Sequence, residues 1–224
     1  MYKMAEEIDY APIYALAKEF GVGQYAGLYP DLSAPAPLAT NAYGNLPQKA
    51  YNDIDLCNLS IGQGRLLTSP LQMAMVTAAI ANGGTLYRPR LVKEYRHHAD
   101  TPYIINPTWA TRKIDMEATH LDLIRAGMRD VIMHPQGTAK EARVRGVEIA
   151  GKTGSAQYRK RVGDQVEDQV YAWMISYAPF DEPRYAVAMI VENGVSGGKT
   201  IGPRLQQLYT SLFAYERASQ GGEL

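Results

Sequence analysis

Near the end of the chain, residues 170–177 and 185–191 form two runs rich in valine, isoleucine, tyrosine and alanine. They flank a short connection that carries Pro179, Asp181, Glu182 and Pro183. Residues of these types suit a pleated, half-buried surface, and a tight turn-forming connection predicts an antiparallel hairpin. No other segment constrains the fold as strongly, because a hairpin needs further strands or helices over its apolar face to persist in water. A third strand candidate, residues 147–150, leads straight into Lys152-Thr153-Gly154 and then Ser155-Ala156-Gln157. The polar stretch between these strands, residues 159–169, reads as a turn.

Helical spacing supplies the cover. Asp9 fits an N-cap for a helix with Ile13, Leu16, Ala17 and Phe20 on one face and Gly21 as its stop. Thr68 or Ser69 caps a second helix with Pro70 in its first turn. Residues 71–80 are apolar on nearly all sides, which predicts a position central to the core, and Asn82-Gly83-Gly84 ends it. Residues 86–95 then look like a short extended stretch restricted by Pro89. Thr119 caps a third helix with the stripe Leu121, Ile124, Met128, Val131 and Ile132, and His134-Pro135 ends it. A last amphipathic helix, about residues 203–218, carries Leu205, Leu208, Tyr209 and Leu212. Residues 29–57 lack a clear period and read as a long surface loop. Three late strands with helices around them predict an α+β domain: an antiparallel sheet, about residues 144–193, flanked by helices.

Charge and cysteine use narrow the function. The 23 basic and 23 acidic residues cancel, which argues against nucleic acid or an anionic membrane surface as the main partner. The single cysteine, Cys57, permits no internal disulfide, and between Leu56 and Asn58 it reads as a small core residue. No window reaches the roughly 18 apolar residues of a membrane span, and the first residues lack the apolar stretch of an export signal. His97-His98, His120 and His134 show no metal-ligand spacing, so neither a metal nor a cofactor is called for. Trp173 reads as packing between sheet and helix, and Arg159-Lys160-Arg161 as a solvated turn.

The chemistry concentrates at Lys152-Thr153-Gly154. A lysine, a small hydroxyl and a glycine on a strand suit the docking of a carboxylate-bearing ligand along a sheet edge. The ammonium and hydroxyl hold the anion, and glycine lets another backbone come close. Three letters alone are a weak signal, so the neighbouring segments decide its meaning.

Those segments match one family together. The run SIGQGRLLTSPLQMAMVTAAIANGGTLYRPRLV resembles the segment before the Lys-Thr-Gly strand in class B penicillin-binding proteins, the monofunctional peptidoglycan D,D-transpeptidases. LDLIRAGMRDVIMHPQGTAKEAR is similar to the family's next helix and loop, and GKTGSAQ, YAWMISYAPFDEP and YAVAMIVENG to its last three strands in order. Ile61-Gly62-Gln63-Gly64 with Tyr87-Arg88-Pro89 resembles the elongation-type members. The resemblance implies a penicillin-binding/serine β-lactamase-like fold and acyl transfer during cell-wall cross-linking. It also implies an extracytoplasmic place in the bacterial envelope, with the peptidoglycan stem peptide, β-lactams and elongation-machinery membrane proteins as partners. By that resemblance Lys152 and Thr153 hold the terminal carboxylate of D-Ala-D-Ala or of a β-lactam. Gly154 admits the bound backbone, the Ser155 N–H is a donor of the oxyanion hole, and Gln157 shares its face with Ser155.

The family's two other motifs are not where the resemblance needs them. Ser-x-Asn does not occur in the chain, and Ser-x-x-Lys occurs once, at Ser196 and Lys199, around two glycines that predict a loop. Tyr43-Gly44-Asn45 fits a tyrosine variant of the second motif but reads as a turn. The chain therefore resembles the C-terminal part of the transpeptidase domain over residues 1–224, with no nucleophile of its own and no acylation expected of it alone. A truncated or degenerate non-catalytic binding module is the alternative, followed by a β-lactamase or β-lactam sensor domain.

Overall fold

The computed structural model describes residues 3, 7–24, 26, 46–49 and 52–220. The chain divides into two compact units, Met1–Met116 and Glu117–Leu224.

In the first unit, helix α1 (Tyr10–Glu19) begins where expected: the Asp9 carboxylate accepts the Tyr10 N–H at 2.6 Å, and Phe20 ends the helix just before Gly21. Its anchor differs from the expected stripe. Leu16 is 39% exposed, whereas Tyr10 is buried with Leu56 and Leu59 and donates its hydroxyl to the Pro47 carbonyl. Leu56 and Leu59 belong to α2 (Asp53–Ser60), a helix that starts inside the stretch read as loop. Asn52 caps it by accepting the Asp55 N–H at 2.8 Å, and two acidic residues in its first turn favour the dipole. Eight residues do not sustain a helix in water, so packing on Tyr10 supplies what local propensity does not. Cys57 sits half-buried on this helix. Tyr43-Gly44-Asn45 and most of the expected loop lie outside the described residues.

Helix α3 (Pro70–Ala81) has the predicted start, with Ser69 and Gln72 forming a reciprocal capping box. It is not buried all round. Its buried side chains are Gln72, Thr77, Ala79, Ile80 and Ala81, while Leu71, Met73, Met75 and Val76 are half-exposed. The buried amide of Gln72 is satisfied by the Gln24 carbonyl at 2.8 Å. The expected extended stretch resolves into pieces of two small sheets. Strand β1 (Thr85–Tyr87) pairs antiparallel with β4 (Ala110–Lys113), and β2 (Glu94–Tyr95) with β3 (Ile104–Ile105). Pro89, which has no N–H to give a ladder, lies between β1 and β2.

The second unit carries the predicted α+β arrangement. Helix α4 (Ala118–Met133) buries Leu121, Met128 and Ile132, but Ile124 is 37% exposed. Its N-cap is Glu117, so Thr119 lies inside the first turn and does not cap it. A three-stranded antiparallel sheet follows in the order β5 (Ala150–Val162), β6 (Gln165–Ala178), β7 (Tyr185–Val191), then helix α5 (Gly202–Gln220). The core lies between one face of this sheet and the helices. Ile132, Ile149, Met174, Ile201, Leu205 and Tyr209 are each at most 1% exposed. Each such side chain contributes roughly 1.5–3 kcal/mol relative to exposure.

Two expectations shift here. Strand β5 starts at Ala150, because Val147 makes only an isolated bridge with Val144. The polar stretch read as a turn is mostly strand: β5 and β6 continue as a two-stranded ribbon beyond the end of β7. Only Gly163 and Asp164 turn, with Gly163 at a φ of 62°. Arg159 faces Asp168 and Lys160 faces Glu167, so opposite charges pair across the ladder. The Arg159 guanidinium lies 3.4 Å from the Asp168 carboxylate.

Candidate functional site

Lys152-Thr153-Gly154 lies three residues into β5, which is an edge strand of the sheet among the described residues. Side chains alternate along a strand, and paired residues share a face. Thr153, Ser155 and Gln157 therefore share the face of Met174 and Ala172, the side on which the helices pack. Lys152 and Gly154 share the other face with Ile175 and Trp173. A single anion that touches both Lys152 and Thr153 has to lie at the strand's edge, where side chains from both faces reach. The lysine is already drawn that way: its exposed ammonium donates to the Thr153 carbonyl at 2.6 Å. Lys152, Ser155 and Gln157 are exposed, and Thr153 and Gly154 are half-buried, so all five site residues predicted from sequence are open to solvent at least in part.

Two further segments approach this strand. The Thr138 hydroxyl lies 3.3 Å from the Thr153 hydroxyl. Thr138 belongs to the turn after α4, held by the Gly137 N–H on the His134 carbonyl at 2.8 Å and the Ala139 N–H on the Val131 carbonyl at 3.0 Å. Nothing in the sequence singled it out, since a threonine after a glycine in a turn has no motif of its own. The second segment is the π-helical turn Gly197–Ile201. A Cβ on Gly197 would overlap the Trp173 carbonyl oxygen and come within 3.1 Å of the Gly154 N and O, and a Cβ on Gly198 would overlap the Thr138 carbonyl oxygen. The glycine pair thus lets a helical turn sit directly on the backbone of the site.

This overturns the loop expected at residues 196–199. Close packing on two carbonyl-bearing backbones offsets the flexibility of adjacent glycines. Ser196 is the N-cap of that turn, and its hydroxyl accepts the Lys199 backbone N–H at 3.3 Å. Within this turn the Ser-x-x-Lys match is a capping arrangement between the Ser196 side chain and the Lys199 backbone. Trp173 also departs from expectation. Ala172 and Met174 take the helix-facing positions, and Trp173 lies half-buried on the opposite face, with its Cβ 3.2 Å from where a Gly154 Cβ would be.

At the entry to β5, Arg129 holds Glu148 with two parallel bonds, Nε–H at 2.8 Å and Nη2–H at 2.6 Å. The hydrogen bond from Arg129 holds the Glu148 carboxyl below the ordinary glutamate range. Arg125 and Arg129 also lie over the Phe180 ring, at 5.4 and 5.5 Å from its centroid. Among the described residues no group of three or more His, Cys, Asp or Glu side chains is placed to hold a metal ion, and no helix is long and apolar enough to cross a membrane.

The chain is similar to known proteins in sequence and in fold. The penicillin binding protein transpeptidase domain family matches residues 1–210. A peptidoglycan D,D-transpeptidase MrdA of Haemophilus influenzae is 27% identical over 90% of this chain and 32% of its own length. The MrdA of Acinetobacter baumannii is 31% identical over 96% of this chain and 32% of its own. The chain thus spans about a third of the length of these curated relatives. Among solved structures, penicillin binding protein 3 of Mycobacterium tuberculosis superposes with a TM-score of 0.77 at 26% identity, over 96% of this chain and 49% of that one. The same protein complexed with aztreonam matches with a TM-score of 0.77 at 26% identity, over 96% of this chain and 48% of that one. A complex of penicillin-binding protein PBP2 with MreC from Helicobacter pylori gives 0.71 at 26% identity, over 96% and 37%. With the match over residues 1–210 and the shared sheet and helices, the chain belongs to the penicillin-binding protein transpeptidase domain family.

Proposed function

We propose that this chain forms the carboxylate-recognising part of a peptidoglycan D,D-transpeptidase of the elongation type, acting on the outer side of the bacterial cytoplasmic membrane. The observation that carries the reading is the edge position of Lys152 and Thr153, with the ammonium drawn along β5 and a hydroxyl half-open to solvent beside it. A terminal carboxylate placed there takes one charge-assisted bond from Lys152 and one hydroxyl bond from Thr153. The substrate backbone then runs along Gly154, and the Ser155 N–H meets the carbonyl oxygen as negative charge develops on it. A β-lactam carboxylate has the same chemistry, and the complex of Mycobacterium tuberculosis penicillin binding protein 3 with aztreonam supports that ligand class. The PBP2–MreC complex of Helicobacter pylori supports a partner among elongation-machinery proteins.

Acyl transfer needs a hydroxyl activated by a basic side chain one helical turn away. No serine in this sequence other than the capping Ser196 has a lysine three residues after it, and Lys152, three residues before Ser155, lies with it on strand β5 and not on a helical turn. The chain on its own therefore binds without being acylated. Two measurements test this. Titration of the 15N-labelled chain with an N-acyl-D-alanyl-D-alanine should shift the Lys152–Gln157 amides, and incubation with a fluorescent penicillin should leave no covalent label. Unshifted amides would remove the recognition claim, and a stable adduct would remove the claim of inactivity.

A further inference from the structure

We infer that Thr138 is a positioning residue of the carboxylate site: its hydroxyl fixes the direction in which Thr153 donates. The inference rests on the reading of Thr153 as a carboxylate ligand. A threonine hydroxyl has one proton and two lone pairs, and its hydrogen turns to suit its partners. If Thr153 spends its proton on a neighbouring acceptor, it has only lone pairs to show an incoming carboxylate, and the contact is repulsive. The Thr138 hydroxyl lies 3.3 Å away, where either oxygen can donate; when the Thr138 O–H donates to the Thr153 oxygen, the Thr153 proton is left to point outward. An arriving anion selects that arrangement, because hydrogen bonds in a chain strengthen one another.

The placement of Thr138 is set by backbone. Its turn is bonded back onto the end of α4 at Val131 and His134, and its carbonyl lies against Gly198 at a distance only glycine permits. Thr138 itself is exposed, so its hydroxyl contributes little to the core and removing it leaves the packing intact. Sequence distance hides the relation, since 15 residues separate the two threonines.

The discriminating probe is an N-acyl-D-alanyl-D-alanine with a free carboxylate, compared with its methyl ester, each titrated into the 15N-labelled chain. The wild type should prefer the acid. Thr138→Val and Thr138→Ala should weaken acid binding roughly three- to tenfold, the worth of one hydrogen bond, while the ester binds as before. Thr138→Ser should keep the preference, and Thr138→Val should add nothing in a Thr153→Val background. Acid affinity unchanged in Thr138→Val, or equal losses for acid and ester, would overturn the inference while leaving the carboxylate reading standing. A wild type that does not distinguish acid from ester would overturn both.

Discussion

Ser176 and Tyr209 share a hydrogen bond of 3.0 Å between two fully buried hydroxyls, joining the central strand β6 to helix α5. Ser176 pairs across the ladder with Gly151, the residue before Lys152, and it occupies the face opposite Lys152. The bond therefore ties the helix to the strand that neighbours β5, beside Lys152.

Removing the phenol oxygen tests that tie. Tyr209→Phe leaves the Ser176 hydroxyl buried without its partner, which should destabilise the second unit by about 1–3 kcal/mol. Adding Ser176→Ala should recover part of the loss, because the orphaned polar group is then gone. Chemical denaturation of the two variants and the double variant measures the coupling, and simple additivity would mean the bond contributes nothing of its own.

The same tyrosine sets an alkaline limit. Burial pushes the Tyr209 phenol well above its ordinary value of 10.0, and burial raises Tyr177 in the same direction. A group with a raised folded-state pKa contributes stability fully below its unfolded value. That contribution is lost as pH climbs past 10, where only the unfolded chain releases the proton readily. Melting temperature should fall between pH 10 and 11, with a shallower fall in Tyr209→Phe. Identical slopes for the variant and the wild type would assign the alkaline limit to other groups.

At the acid end the sign reverses. Arg129 depresses the Glu148 pKa, so their contribution is present above the ordinary glutamate value of 4.5 and is lost as pH falls below it. Both side chains are over 40% exposed, at 41% and 43%, so the effect should be shallow and weaken in salt. Glu148→Gln should flatten the acid limb of the stability profile below pH 4.5 without moving the neutral plateau far. A limb as steep as that of the wild type would sink the assignment.

What was legible in the sequence follows its physical strength. The hairpin of β6 and β7, the start of α3 at a Thr68 or Ser69 cap and the α5 positions Leu205 and Tyr209 could be read because period and caps are local signals. The ribbon beyond Gln157 could not. Its residues face solvent widely, so no apolar alternation marks it, and its cross-strand charge pairs, such as Arg159 with Asp168, appear only once the register is known. Helix α2 was missed although Asn52 and its acidic first turn were visible, because the burial of Leu56 and Leu59 beside Tyr10 is a long-range contact. At the candidate site, Lys152 and Thr153 announced themselves by motif. Thr138, Gly197 and Gly198 act through distances between segments that no single stretch of sequence encodes.

The glycine pair yields the sharpest structural prediction. A Cβ at Gly197 would overlap the Trp173 carbonyl oxygen and crowd Gly154, while a Cβ at Gly198 would overlap the carbonyl oxygen of Thr138. These obstacles are backbone atoms in a ladder and a pinned turn, so they cannot swing aside as the end of a flexible side chain would. Gly197→Ala and Gly198→Ala should each destabilise the second unit by about 1–3 kcal/mol or more, the usual cost of overpacking. Gly163→Ala is the control. It meets no atom within 4 Å at its φ of +62° and so should cost only the strain of a positive-φ turn, about 1 kcal/mol. The site should respond as well: Gly198→Ala displaces Thr138 and should reduce binding of the free-acid dipeptide, whereas Gly163→Ala, at the far tip of the ribbon, should not. Thermal melts and the amide titration together decide it. Gly198→Ala with wild-type stability and wild-type acid affinity would show that the turn is free to move off the strand.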